Sequence, residues 1–451
     1  MSIFRAYDIR GIYPKELNCD ITYKIAVAFA NKFNDADEFV VGRDCRISSP
    51  ALRDSLVSGF KDSGKDVLDI GVVPTPVFYF AIAHLKKQGG IIITGSHNPK
   101  DYNGLKIQRE EAIPVTGETG IYEMEKMIEK GEFKAIEKKG TIKELDIVGD
   151  YIDYVSKIPK LKRPLKIVLD CGNGACGTIP ERIFKKLGCV VETLYAELDG
   201  NFPNHQPDPH DAASLKALQK RVIDTGADCG FAYDGDGDRI GVVDETGRIV
   251  SGDFILMMLA RQALDAKKGA VIFEVRSSRS LLSDVKNHGG TPQITRAGHS
   301  FLLDEIVKRN AVFGGELSGH MYFPYCYYNY DDGIFASLKI AEIVSGIDSL
   351  SAYVDSLPRE VASPEISVGC ADDRKFKAIE EFKEYLKENN YDFLGIDGAR
   401  INFKHGWALA RASNTTPHIK CRFEADTKEH LDEIMAEVSN ILKKFGVNIY
   451  K

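Results

Sequence analysis

Short apolar runs that break into polar, turn-rich loops recur along most of this chain. Phe39-Val40-Val41 runs into Gly42-Arg43-Asp44, Ile167-Val168-Leu169 into Asp170-Cys171-Gly172, and Val271-Ile272-Phe273 into Glu274-Val275-Arg276. Each run predicts a strand, and each is followed by a helical stretch and then a further strand. Those further strands end in loops loaded with polar side chains: 94–99, 234–239 and 314–320. Strand–helix–strand alternation predicts parallel or mixed sheets between helices, with ligands gathered at the loop ends. The pattern therefore predicts three related α/β domains, each presenting one functional loop to a shared centre.

Toward the C-terminus the pattern changes. Ile379, Phe382 and Leu386 share one face of a predicted helix, and Ile419-Lys420-Cys421-Arg422-Phe423 alternates like a strand. A last helix carries Leu431, Ile434, Met435, Val438, Ile441, Leu442 and Phe445 at spacings of three and four, which is a core stripe. The tail thus reads as a fourth, α+β domain. Between its strands lies Arg411-Ala412-Ser413-Asn414-Thr415-Thr416-Pro417, a loop dense in groups that suit an anion. Residues 118–144, rich in Glu and Lys, predict a solvated helix running into a linker. A turn near Gly247 and Gly252 and the segment from Leu357-Pro358 to Pro364 mark later boundaries. The expected domains are 1–144, 145–248, 249–360 and 361–451.

Composition narrows the function classes. A hydrophobic fraction of 43% and a charged fraction of 28% are those of a globular chain, and no apolar run reaches the length of a membrane span. The net charge of −7 argues against a general nucleic-acid or anionic-membrane surface, so any bound anion must meet a local basic cluster. The N-terminus, Met1-Ser2-Ile3-Phe4-Arg5, has no secretory or transit character, and a cytoplasmic location is expected. Nine scattered cysteines without a Cys-x-x-Cys pair read as small core residues of a reduced compartment. Asn414-Thr415-Thr416 fits a glycosylation acceptor, which is accidental without secretion. The chain carries no reading of oligomeric state.

The richest chemistry lies at Asp234-Gly235-Asp236-Gly237-Asp238-Arg239. Three carboxylates at alternate positions, with glycines that let the backbone curl, suit a hard divalent cation such as Mg2+. With Glu245 the acids match the ligand spacing of an EF-hand, but Arg239 stands where that loop needs glycine, and the flanks are β-like. A cation beside Arg239 fits a phosphate whose charge both groups share. Gly172-Asn173-Gly174-Ala175-Cys176-Gly177 satisfies a dinucleotide fingerprint, with Glu192 twenty positions on. Against that rival, Thr178, Pro180 and Glu181 place the helix start, with a capping box, after the last glycine. The loop Asn201–His210, with His205 and His210, reads as a connector.

Taken together, the segments from Phe4-Arg5-Ala6-Tyr7-Asp8-Ile9-Arg10-Gly11 to the 411–417 loop resemble the α-D-phosphohexomutase family, most closely its phosphomannomutase/phosphoglucomutase branch. The resemblance covers nearly the whole chain. It implies four domains around a central cleft and an enzyme that interconverts hexose 1-phosphate and hexose 6-phosphate (mannose and/or glucose). It implies Ser96, in Thr94-Gly95-Ser96-His97-Asn98-Pro99, as a phosphoserine, and Mg2+ held by Asp234, Asp236, Asp238 and the Ser96 phosphate. A hexose 1,6-bisphosphate is then both activator and intermediate. Arg10, Lys106 and Arg239 would supply positive charge and aid proton movement, while His97 supports the phosphoserine loop. Glu316 and Ser318 would grip sugar hydroxyls, and His320 would accept a proton. Arg411, Ser413, Asn414 and Thr415 would hold the non-reacting phosphate, and Tyr7 and His299 would contact the ligand.

Two positions depart from the branch. Arg276 stands where a lysine is common, and a lysine after Gly298-His299-Ser300 is replaced by Leu303-Asp304. Arginine keeps the charge without serving readily in proton transfer, so these changes bear on sugar preference. Gly237 and the Asn414–Pro417 ending separate the chain from the phosphoglucosamine mutase branch, which is the alternative within the family. A sugar-phosphate sensor should have lost the nucleophile or the metal ligands, and both are present. A phosphoserine hydrolase would release inorganic phosphate.

Overall fold

The structure, a computed structural model, describes residues 3–131, 133, 138–413 and 416–449. It divides into two compact units, Met1–Leu259 with Ser318–Asp355, and Ala260–Leu317 with Ser356–Lys451.

The first unit contains two sheets with one design. In the first, Glu38–Arg43 lies between Asp66–Val72 and Gly89–Ile93, parallel to both, and Tyr102–Arg109 returns antiparallel beside Gly89–Ile93. In the second, Lys166–Asp170 lies between Val190–Leu194 and Cys229–Tyr233, parallel to both, and Ile240–Asp244 returns antiparallel. Loops 94–101 and 234–239 therefore occupy the same topological place, the hairpin after the third parallel strand. The apolar runs form these strands because they are buried: Phe39, Val40, Val41, Ile167, Val168 and Leu169 are inaccessible or nearly so. Helices Cys19–Lys32 and Ser49–Asp62 cover the first sheet through an aromatic cluster in which the Phe29 and Phe39 ring centroids lie 4.8 Å apart. About 25 cal/mol per Å2 of buried apolar surface drives this layering.

The second unit repeats the start of the design. Ala270–Glu274 lies between Thr291–Thr295 and Phe313–Gly315, parallel to both. Its other sheet is antiparallel, with Val361–Ala362, His418–Ala425, Gly406–Ala412, Ala399–Phe403 and Phe393–Leu394 in that order, and helices Asp372–Glu388 and Lys428–Lys443 packed on it. The expected α+β tail is present, and mixed α/β sheets account for the three repeats. Within this unit, Glu424 is buried and accepts from Trp407 Nε1 at 3.0 Å, Ser278 Oγ at 2.9 Å and the Arg279 amide at 2.9 Å. Arg400 lies over the Trp407 ring and donates to the carbonyls of Val275 and Ser277.

Several local expectations change. The charged stretch after residue 118 holds helix Tyr122–Lys130, but its end is a strand: Ile142–Glu144 pairs with Asp66–Val72 at the sheet edge. Val361–Ala362, at the start of the expected tail, pairs with the tail sheet. Arg411 and Ala412 belong to strand Gly406–Ala412, not to the loop that follows. The helix after the glycine fingerprint starts at Ile179 with Thr178 as N-cap, as expected, yet Thr178 makes no side-chain cap. Glu181 instead bonds Lys185 and Thr193, so the capping box is absent. Cys19, Cys45, Cys326 and Cys370 are half-buried, whereas the other five cysteines are in the core, and all nine are free thiols. Among the described residues no helix is long and apolar enough to cross a membrane.

Candidate active site

In the first unit the two hairpin loops meet. Ser96 leaves strand Gly89–Ile93 with φ 48°, a left-handed conformation that costs a non-glycine residue about 1 kcal/mol or more. Tertiary contacts hold it there. The Ser96 amide donates to Thr94 Oγ1 at 2.9 Å and the Gly95 amide to Asp44 Oδ2 at 3.0 Å. Arg46, fully buried, donates to four carbonyls of this segment: Ser96 at 2.7 Å, Asn98 at 2.6 Å, Pro99 at 2.6 Å and Tyr102 at 3.0 Å. A Cβ on Gly95 would stand 2.4 Å from the Arg46 Nε, which explains the glycine before the serine.

The result aims one hydroxyl at the acidic loop. Ser96 Oγ donates to Asp234 Oδ2 at 2.8 Å and lies 3.2 Å from His97 Nδ1. Asp234, Asp236 and Asp238 are all inaccessible, and one oxygen from each lies within 4.8 Å of the others. Lys106, on the returning strand Tyr102–Arg109, bridges Asp236 at 2.7 Å and Asp238. Thr75 Oγ1 donates to Asp236 Oδ2 at 2.6 Å. Arg239 donates from its amide to Asp234 Oδ1 at 3.2 Å and from Nε to His320 Nε2 at 3.3 Å. His320 Nε2 lies 3.5 Å from Asp238 Oδ1 and 3.7 Å from Asp331 Oδ2, and its Nδ1 lies 3.2 Å from Ser318 Oγ. Arg10 reaches the same serine loop through Asn98 and the Gly95 carbonyl and pairs with Asp8 at 2.7 Å.

The electrostatics call for a cation. Burial, then the charges of Asp238 and Asp236, push the Asp234 carboxyl well above its usual range. Burial also opposes ionisation of Asp238, but Lys106 and His320 outweigh it and hold that carboxyl well down. Lys106, desolvated yet flanked by Asp236 and Asp238, is held well above its usual range and stays charged. One ammonium thus faces three carboxylates. Asp236 Oδ1 and Asp238 Oδ1 are buried without a hydrogen bond, a costly state for a carboxylate oxygen. The all-oxygen donor set and these bare oxygens fit a hard divalent ion. His97, half-buried and desolvated near Arg239 and Arg10, is held well below the usual histidine range and is neutral.

The glycine fingerprint acquires a different reason. A Cβ on Gly174 would stand 2.8 Å from the Gly235 carbonyl oxygen, and one on Gly235 would stand 2.4 Å from that of Ser96. The glycines let loops 172–177, 234–239 and 94–99 stack backbone on backbone, which leaves them no pyrophosphate to cradle. The loop read as a connector is part of this stack. Gln206 donates to the His97 carbonyl, His205 Nε2 lies 3.1 Å from Asp170, and the Phe202 ring sits under the Arg46 guanidinium at 4.9 Å.

The other predicted site residues lie in the second unit, apart from Tyr7, which is half-buried in the first. Glu316 accepts from the Gly298 amide at 2.6 Å, just before His299 opens helix His299–Arg309. Arg276 pairs with Glu274 at 2.8 Å and lies 3.7 Å from Glu365, and these acids hold its guanidinium charge firmly. Arg411 lies 3.1 Å from Asp397, which also accepts from the Ala297 amide. Ser413 Oγ accepts from the Thr416 amide at 3.2 Å. Asn414 and Thr415 lie outside the described residues. Sequence reasoning missed Arg46, Asp44, Thr75 and Asp331. For Asp44 and Arg46 a signal existed, since both follow the first repeat's parallel strand at its loop end.

Asp332, next to Asp331, caps helix Gly333–Val344 and accepts from Tyr151 and Tyr327 hydroxyls in a dry pocket. Burial raises its carboxyl from 3.8 to about 7. A carboxyl raised on folding contributes stability that is full below its unfolded value and lost as pH climbs through about 7. Asp332→Asn, which mimics the neutral acid, should leave stability and melting temperature unchanged at about pH 4 and raise both at pH 8, the stability by on the order of 2–4 kcal/mol. Calorimetry at both pH values checks this, and an equal shift at both would show that protonation is not involved.

The chain matches, in order, the phosphoglucomutase/phosphomannomutase alpha/beta/alpha domain I over residues 1–135, domain II over 149–247, domain III over 251–361 and the C-terminal domain over 365–441. A phosphomannomutase/phosphoglucomutase of Pseudomonas aeruginosa is 40% identical over 450 residues, covering 98% of this chain and 96% of that protein. A phosphoglucomutase of Neisseria gonorrhoeae is 40% identical over 446 residues, covering 98% of this chain and 96% of that protein. The crystal structure of a phosphoglucomutase/phosphomannomutase family protein from Burkholderia thailandensis superposes with a TM-score of 0.93 at 36% identity, covering 99% of each chain.

Proposed function

We propose, for a chain that belongs to the phosphoglucomutase/phosphomannomutase family, a cytoplasmic phosphohexomutase that interconverts hexose 1-phosphate and hexose 6-phosphate, with mannose or glucose as the sugar. The observation that carries the chemistry is the Ser96 hydroxyl, held in a strained turn and aimed at three buried carboxylates. Ser96 carries the transferable phosphoryl group. It gives that group to the free hydroxyl of the substrate, and the resulting hexose 1,6-bisphosphate returns its other phosphate to Ser96 after turning over in the site. Asp234, Asp236 and Asp238 would hold Mg2+, whose charge, when bound, offsets that of the phosphoryl oxygens.

The chain's own groups do the remainder. Arg10, Arg239 and Lys106 supply fixed positive charge where the dianionic phosphoserine stands. His320 Nε2 would accept the proton of the attacking sugar hydroxyl once Arg239 Nε, which donates to it at 3.3 Å, turns to the phosphoryl oxygens and frees that lone pair. Neutral His97 supports the serine without competing for its charge. Glu316 and Ser318 grip sugar hydroxyls, with Tyr7, His299 and Arg276 at the ligand. Arg411, Ser413, Asn414 and Thr415 hold the phosphate that is not reacting. With this scheme goes the division at 144/145, 248/249 and 360/361, which the order of the four family domains supports.

Coupled assays with mannose, glucose and glucosamine 1-phosphates, Mg2+ and a trace of bisphosphate test the reading. Turnover of the first two is expected. Preference for the glucosamine ester would move the chain to the other branch, and release of inorganic phosphate at the turnover rate would make it a hydrolase. Arg411→Ala should lower catalytic efficiency in both directions by the same factor, because one clamp serves either orientation of the bisphosphate. The loss should be roughly 10–100-fold, from the about 1.5–3 kcal/mol of a charged hydrogen bond. Near-normal efficiency both ways would remove Arg411 from the clamp.

A further inference from the structure

A second group of metal-ligating side chains lies in the tail sheet, well away in sequence from the acidic loop. His405 occupies the tight turn between Ala399–Phe403 and Gly406–Ala412, Asp426 follows strand His418–Ala425, and His430 stands in the first turn of helix Lys428–Lys443. One ligand atom from each lies within 4.8 Å of the other two. His405 Nδ1 is 2.9 Å from Asp426 Oδ2, and His430 Nδ1 is 2.6 Å from Asp426 Oδ1. The two imidazoles stack with centroids 4.0 Å apart and planes 17° apart, so both Nδ1 atoms converge on one carboxylate.

Rigid backbone sets this convergence. The Asp426 amide donates to the His405 carbonyl at 3.0 Å, which ties turn to strand end. The His430 amide donates to the Thr427 cap at 3.2 Å, which fixes the start of the helix. Each side chain is about a third to two-fifths exposed, so an ion can enter and a water can complete its shell. Ligand atoms around a tetrahedral ion with bonds of about 2.0–2.2 Å stand roughly 3.3–3.6 Å apart, so the nitrogen–carboxylate contacts of 2.9 and 2.6 Å would open by about 1 Å or less to admit one.

We propose that His405, Asp426 and His430 form a binding site for a divalent d-block cation of the Zn2+ type, clamping the His405 turn to the C-terminal helix. Two imidazoles and one carboxylate select such an ion over Mg2+, which takes oxygen donors. The site thereby differs in kind from the all-carboxylate loop. Three protein ligands with an open fourth position make it an exchangeable site.

Titration calorimetry of the full chain with ZnCl2, in saturating Mg2+ at pH 7.5 and with the thiols blocked, tests this against the doubly substituted His405→Gln/His430→Gln protein. The wild type should bind one more equivalent of Zn2+ than the variant, and His430→Gln alone should weaken that equivalent at least tenfold. Zn2+ should raise the melting temperature of the wild type more than that of the variant. Mutase activity in Mg2+ alone should match in the two proteins, which shows that the variant folds. Equal Zn2+ stoichiometry in both, or binding to the extra site that Mg2+ abolishes, would overturn the assignment.

Discussion

Ser96→Ala protein is expected to fold, bind hexose phosphate and fail to turn it over, with a loss of at least about 10^4-fold. The hydroxyl donates to Asp234 Oδ2 at 2.8 Å from its strained turn, and alanine deletes it without touching the scaffold. The scaffold belongs to other atoms, since Arg46 holds backbone carbonyls and Asp44 holds the Gly95 amide. The left-handed turn at residue 96 therefore persists in the variant, and its melting temperature should stay close to that of the wild type. Intact-mass measurement gives an independent readout. Active wild type should carry one phosphoryl group, mapped to the peptide containing Ser96, and the variant none. Normal turnover by Ser96→Ala, or full activity in wild type bearing no phosphate, would refute covalent transfer through this residue.

Asp236→Asn should be nearly as damaging for a different reason. Asp236 Oδ2 already receives Thr75 and Lys106, while Oδ1 is buried and bare. The substitution keeps the shape, removes one of three charges that would hold a cation, and leaves Lys106 with Asp238 as its remaining acid. Breaking a buried charge pair by removing one partner costs about 3–5 kcal/mol, which corresponds to a rate or affinity loss on the order of 10^2–10^4-fold. Two measurements separate chemistry from folding. Mg2+ should raise the melting temperature of the wild type and do so weakly in the variant, and a chelator should silence the wild type. Full wild-type activity in excess chelator would refute the metal role of the acidic loop.

Much of this was legible along the chain because it is local. Turn formers after apolar runs predicted where the hairpin loops fall, and Asp234, Asp236 and Asp238 announce a hard-cation site through their own spacing. The stripe Leu431, Ile434, Val438, Ile441 and Leu442 is the buried face of the last helix. Where local signals misled, a longer-range contact had claimed the residue. The fingerprint glycines resemble a dinucleotide loop in sequence, but Gly174 is small because Gly235 packs on it. Glu181, placed for a capping box, is drawn to Lys185 and Thr193.

Most strands, the loops that carry ionisable groups and the family resemblance can be read from single stretches of chain. Those properties depend on neighbours within a few positions, where propensity and periodicity act. Long-range packing brings Arg46 to the serine loop from 50 residues away, Lys106 to acids 130 and 132 positions on, and Thr75 to Asp236 across 161. It also decided that Asp332 is dry enough to hold its proton to about pH 7. Pairings over such separations, and the loss of water that gives them their strength, arise when sheets stack and loops meet, and no single stretch of chain encodes them.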